Sequence, residues 1–203
     1  MNYQPILQHY QNCLDQHGDT PLGADWPNAQ DIAKRYTVMA EIIREPEFSL
    51  LDYGCGTGDF YAYLQKCMGM SDYVGVDVNP RAIAYAIQKY PNARFAIGSG
   101  LSCEAIDELQ FDYIILNGVF TEKCSLSFDE MWEYCQVLLE KLFAQTKKGL
   151  AFNVMSSCVD WEREDLFHLP LSTLELFLTQ KLSKKYVMRR DYGLYEYTCY
   201  VYK

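Results

Sequence analysis

The stretch Leu50-Leu51-Asp52-Tyr53-Gly54-Cys55-Gly56-Thr57-Gly58-Asp59-Phe60 constrains the fold more than any other. An apolar strand, predicted over Ser49–Tyr53, runs into three alternating glycines, and a helical pattern opens at Asp59. Glycine suits such a turn because the backbone must reverse tightly and approach a ligand without a β-carbon. In a doubly wound sheet, the first strand-to-helix turn is where a nucleotide-like ligand lies. The spacing narrows the ligand class. A pyrophosphate-binding Gly-x-Gly-x-x-Gly would place its third glycine at position 59. That position is Asp59, whose carboxylate repels pyrophosphate. Gly-x-Gly-x-Gly with Asp52 two residues upstream fits a phosphate-free ligand bearing a cationic amine.

The rest of the chain alternates. Strands are predicted at Tyr73–Val78, Arg94–Ile97, Phe111–Leu116 and Leu150–Met155. Between them fall helices at Asp59–Met68, from the Asn79-Pro80 start to about Tyr90, over Ser102–Leu109, and from the Ser127-Phe128-Asp129-Glu130 capping box to about Thr146. A second capping box, Ser172-Thr173-Leu174-Glu175, is predicted to open a helix to about Leu182. Tyr186–Arg190 and Leu194–Tyr202 then flank a glycine-containing turn and read as a β-hairpin. Strand-helix alternation of this kind demands a mostly parallel sheet covered on both faces. The expected fold is therefore a doubly wound α/β, Rossmann-like domain over residues 47–203. Its seven-stranded sheet ends in an antiparallel C-terminal hairpin.

Residues 1–46 lack strand patterns. Ile6, Leu7, Tyr10 and Leu14 recur at helical spacing, a Gly/Pro/Asp-rich loop spans His17–Pro27, and Asn28 is placed to cap a helix running to about Arg44. This segment is predicted to cover the site as a lid within one compact domain.

Composition excludes several classes. Eighteen basic against 27 acidic residues give a net charge of −9, which opposes nucleic-acid backbones and anionic lipid. No apolar run approaches the roughly 18 residues of a membrane helix, and the first residues lack a signal-peptide pattern. The eight cysteines include no Cys-x-x-Cys pair, so neither a disulfide framework nor a metal site is expected, and the thiols fit a reduced, cytoplasmic setting.

The run Asp52-x-Gly54-x-Gly56-x-Gly58 resembles motif I of class I S-adenosylmethionine-dependent methyltransferases, Asp/Glu-x-Gly-x-Gly-x-Gly. The resemblance covers roughly residues 36–155. It implies a sheet of order 3-2-1-4-5-7-6 with strand 7 antiparallel, S-adenosylmethionine as cofactor and S-adenosylhomocysteine as product. It places the cofactor against Asp52, Gly54, Cys55, Gly56 and Gly58. Asp77, which ends the second strand 23 residues after Gly54, is the candidate acceptor for both ribose hydroxyls, and Val78 the candidate adenine contact. Ser99, Gly100 and Leu101 stand where many members carry an acidic adenine ligand. Asn117 and Gly118 follow the fourth strand beside the reacting sulfonium. Enzymes that methylate base amines or glutamine amides carry Asp/Asn-Pro-Pro-Tyr/Phe there. This chain has Asn117 and Phe120 without the prolines, which together with its charge opposes a DNA substrate.

On the acceptor side, Trp26, Tyr36, Phe120 and Trp161 are candidate walls. His17 is the candidate general base, and Arg35 the candidate partner of the methionine carboxylate. The expected activity is methyl transfer to an oxygen or nitrogen of a small molecule by in-line displacement, in a monomer or homodimer. The alternatives are a cofactor-binding subunit without turnover and a nicotinamide oxidoreductase, the latter disfavoured by Asp59.

Overall fold

The computed structural model describes residues 3–68, 72–98 and 103–203. Two helices come first, α1 (Gln4–His17) and α2 (Ala29–Ala40), joined through a short 3-10 turn at Pro21–Ala24. Then β1 (Ser49–Tyr53), α3 (Asp59–Cys67), β2 (Asp72–Asp77), α4 (Pro80–Lys89) and β3 (Arg94–Ile97) alternate. They are followed by β4 (Phe111–Phe120), α5 (Phe128–Gln145), β5 (Thr146–Ser156), β6 (His168–Leu169) and α6 (Leu171–Phe177), which a π-helical turn extends to Leu182. The hairpin strands are β7 (Tyr186–Arg189) and β8 (Glu196–Tyr202).

The sheet runs β3-β2-β1-β4-β5-β8-β7. Pairing is parallel from β3 to β5, and β8 is antiparallel to both β5 and β7. This is the expected doubly wound order. An eighth strand, β6, pairs in parallel with the end of β5. Its two residues are too few to carry a periodic signature in the sequence.

Side-chain alternation divides the core into two layers. Leu51 and Tyr53 of β1, Ile114 and Leu116 of β4, and Leu150 and Phe152 of β5 face α5 and α6. Leu50, Tyr113, Ile115 and Ala151 point the other way, where α3 and the end of α2 cover them. Val38, Met39, Ile42 and Ile43 lie inside this second layer, so the N-terminal segment is part of the core from about residue 38 onward.

Two predicted helix starts differ. Within Ser102–Leu109 the described residues Glu104–Glu108 form turns, with Gln145 of α5 donating to the carbonyls of Ile106 and Asp107. The N-cap of α6 is Pro170, and Ser172 lies within the helix without capping it. Proline fixes φ near the helical value and starts the helix two residues earlier. Among the described residues, no helix is long and apolar enough to cross a membrane.

Candidate functional site

The glycine turn does what its spacing requires. Gly54, Gly56 and Gly58 have φ of +77°, +53° and +83°. The N–H groups of Gly54 and Cys55 both donate to the Val76 carbonyl, which locks the turn to β2. A β-carbon on Gly56 would meet nothing within 4 Å, so this glycine leaves its face open. Gly58 serves packing instead. A β-carbon there would meet Phe95 and Tyr90 at 3.0–3.2 Å.

Above the turn lies a largely apolar cavity of about 400 Å³. Gly54, Cys55, Gly56 and Thr57 form one side with Asp77, Val78 and Asn79 from the end of β2. Asn117, Gly118 and Val119 close the opposite side, with Tyr134 of α5. The roof is α1, through Tyr3, Ile6, Tyr10 and Leu14, continued by the 3-10 turn, Trp26 and Tyr36. The α1 stripe was visible in the sequence as an apolar face, but nothing local said what it covers. Tyr3 and Tyr134 carried no signal at all.

Asp77 is half-buried and well supplied with donors. Gly56 N–H donates to Oδ2 at 2.9 Å and Asn79 N–H to Oδ1 at 2.8 Å. Burial raises its pKa and these backbone bonds oppose that rise. Each oxygen keeps one further lone pair, so two vicinal hydroxyls can be accepted together. Two other cavity residues hold buried side-chain atoms without partners among the described residues, Tyr53 Oη and Asn117 Oδ1. An unpaired buried polar atom costs about 1–3 kcal/mol, which a polar ligand would relieve. Burial also raises the pKa of the Tyr10, Tyr36 and Tyr53 hydroxyls, which stay protonated.

Several predicted site residues lie elsewhere. Asp52 sits on the opposite face of β1 from Tyr53, outside the cavity lining, and accepts from Tyr73 Oη at 2.7 Å. Burial pushes its pKa to about 7. It is therefore not placed to pair with a ligand amine, because strand alternation turns it into the second core layer. Arg35 donates through Nε to both oxygens of Glu196, each at 3.0 Å, and stacks on Trp26. The buried Glu196 carboxylate claims this guanidinium. Phe120 is fully buried against Tyr134 and Phe152 and is core. Trp161 is 56% exposed beside Tyr195 and does not reach the cavity. His17, the last residue of α1, is not among the lining residues either. Cys55, Gly54, Gly56, Asp77, Val78, Asn117, Gly118, Trp26 and Tyr36 all line the cavity. Ser99, Gly100 and Leu101 lie outside the described residues.

Solved structures with this fold include N-methyltransferase NodS from Bradyrhizobium japonicum in complex with S-adenosylhomocysteine. It shares a TM-score of 0.67 and 19% identity over 97% of each chain. Magnesium protoporphyrin IX methyltransferase from Synechocystis, also with S-adenosylhomocysteine bound, gives a TM-score of 0.60 and 12% identity over 100% of this chain and 88% of the other. At such identities the likeness is one of fold. Sequence carries the relationship further. A Mycobacterium tuberculosis protein named for methyltransferase activity, Rv1506c, is 33% identical over 162 residues, covering 77% of this chain and 93% of the relative. The ribosomal protein L11 methyltransferase of Burkholderia orbicola matches over 73 residues only, 36% of this chain and 24% of that enzyme, at 36% identity. A family model described as a methyltransferase domain matches residues 44–188. With the glycine turn, the sheet order and that match in hand, the chain belongs to the methyltransferase domain family.

Proposed function

We propose that this chain transfers a methyl group from S-adenosylmethionine to a nitrogen or oxygen of a small-molecule acceptor, with S-adenosylhomocysteine as the product. The observation that carries the reading is the roofed cavity. One side is the open glycine turn with Asp77, the other is Asn117–Val119, and α1 with Trp26 covers the space between. A roof of this kind favours an acceptor that can be enclosed over one displayed on a larger surface.

The donor set fits the cofactor. Asp77 would accept the two ribose hydroxyls, Gly56 gives room for the ligand backbone, and Val78 lies beside it as an apolar wall. Tyr53 Oη and Asn117 Oδ1 would gain the partners they lack. S-adenosylmethionine supplies a methyl group already activated on a sulfonium. The protein is left to align an acceptor and exclude water, and alignment alone is worth roughly 7–11 kcal/mol of barrier. Among the described lining residues there is no imidazole, and the Tyr10 and Tyr36 hydroxyls stay protonated. An acceptor that arrives as a neutral amine or an ionised oxygen suits this lining, since neither needs a protein base to deprotonate it.

The test pairs calorimetry with turnover. S-adenosylmethionine and S-adenosylhomocysteine should bind one per chain and NADH should not. Labelled methyl should then appear in small molecules from a metabolite pool. Binding of the adenosyl ligands with label only in added protein would overturn the small-molecule assignment. Binding without any transfer would reassign the chain as a cofactor-binding subunit, and binding of NADH alone would reject the cofactor.

A further inference from the structure

Helix α1 holds a second polar feature beside the cavity. His9 and Cys13 stand one helical turn apart, a spacing that puts two ligating side chains on one helix face. Asp25, the residue after the 3-10 turn, comes to meet them. His9 Nε2 is 2.9 Å from Asp25 Oδ2 and 3.8 Å from Cys13 Sγ, and the three ligating atoms lie within 4.8 Å of one another. The spacing of cysteines alone gave no sign of this, because the third group arrives from a separate turn.

A further acidic residue follows β4 and acts on this group. The Glu122 carboxylate, at the end of the β4 connection, belongs to a residue only 8% exposed. Asp25 and His9 are among the charges acting on it, and the Cys124 thiol feels Glu122, Asp25 and Cys13 in turn. Carboxylates held near one another at low exposure repel, and a cation among these groups would offset that repulsion.

The donors are one imidazole nitrogen, one sulfur and one carboxylate oxygen. Calcium and magnesium take oxygen ligands, whereas zinc takes this mixture. Tetrahedral zinc with bonds of about 2.0–2.3 Å separates its ligands by about 3.3–3.8 Å. The His9–Cys13 separation already lies at that limit, the His9–Asp25 pair has to open by a few tenths of an ångström, and Cys13 and Asp25 lie within 4.8 Å of each other.

We propose that His9, Cys13 and Asp25 bind one zinc-class divalent cation, with Glu122 beside it, and so tie α1 to the turn that carries Trp26. On binding, Cys13 forms the S–Zn bond and releases its thiol proton to solvent. This site is independent of the methyl-transfer reading and its test does not use activity.

The untagged full chain is titrated with zinc against a chromophoric chelator, and with cobalt by absorbance. One equivalent per chain is expected at micromolar affinity or tighter, with the thiolate-to-cobalt charge-transfer band in the near ultraviolet. Cys13→Ser and His9→Gln should each weaken zinc at least tenfold and Cys13→Ser should abolish that band. Cys67→Ser, an exposed cysteine elsewhere, should change neither. Absence of a site of that affinity in the unaltered chain overturns the proposal whatever the variants do. Binding that survives the His9→Gln/Cys13→Ser double variant also overturns it.

Discussion

The indole of Trp26 lies across Gly118, so closely that a β-carbon on Gly118 would meet Trp26 Cζ2 at 3.0 Å. Gly118 also has φ of +81°, donates its N–H to Asn153 Oδ1 at 2.7 Å, and offers its carbonyl to Thr121 Oγ1 at 3.0 Å and to Tyr10 Oη at 3.4 Å. This glycine is where the roof meets β4. Gly118→Ala should destabilise the chain by about 1–3 kcal/mol in urea unfolding, from the left-handed backbone and the indole contact together. In a Trp26→Ala background only the backbone part should persist. Equal costs in both backgrounds would show that the indole does not seat on Gly118.

Asp77→Asn should weaken S-adenosylmethionine binding by on the order of 1.5–3 kcal/mol by calorimetry. The amide NH₂ must face either Gly56 N–H or Asn79 N–H, both of which donate to the native carboxylate. One backbone donor therefore loses its acceptor, and one ribose hydroxyl loses its own. Unchanged affinity would sink the ribose assignment.

What the sequence revealed was the part set by local chemistry. Three alternating glycines required a tight turn between a strand and a helix, and the structure has left-handed φ at all three. Asn79 and Ser127 were legible as caps because their side chains bond the next turn of their own helix. The face of Asp52 is also a local property, since period-2 alternation along β1 puts it opposite Tyr53. Arg35 was not readable, because its partner Glu196 lies 161 residues away. The turns at residues 104–108 escaped for the same reason: Gln145, 38–39 residues on, satisfies their carbonyls. The roof combined both cases, an evident apolar stripe with an unseen partner.

The carboxyl of Asp52 gives stability a pH dependence of defined sign. Burial raises its pKa from 3.8 to about 7, while the unfolded group stays near its ordinary value. Between those values the folded chain holds a proton that the unfolded chain has lost. The stability linked to this group is thus complete below about pH 4 and is lost as pH rises through about 7, by on the order of a few kcal/mol. Glu122, also raised by burial to about 7, acts in the same direction. Asp52→Asn keeps an acceptor for Tyr73 Oη but cannot titrate. Urea unfolding at pH 5 and pH 8 should differ less for this variant than for the native chain. Identical differences would mean that Asp52 is ionised throughout.

Lys89 provides a latch between roof and glycine turn. Its ammonium lies 2.9 Å from Asp19 in the segment after α1, 3.1 Å from Thr57 Oγ1 and 2.7 Å from Asp59 at the start of α3. Asp59 thus has a cationic partner, and the roof is held to the turn through the same nitrogen. Asp19→Asn cuts only the roof side of this link and leaves the Lys89–Asp59 pair in place. A half-buried pair of this kind is worth about 1 kcal/mol, which corresponds to roughly fivefold more frequent opening. Amide exchange over residues 4–26 should quicken by that factor while β1, β4 and β5 keep their protection. Dissociation of S-adenosylhomocysteine should quicken too, because the product leaves beneath the same roof. If exchange in α1 is unaltered and product release is as slow as before, Lys89 does not hold the roof, and the apolar seat of Tyr3 and Ile6 on the core is sufficient to keep it closed.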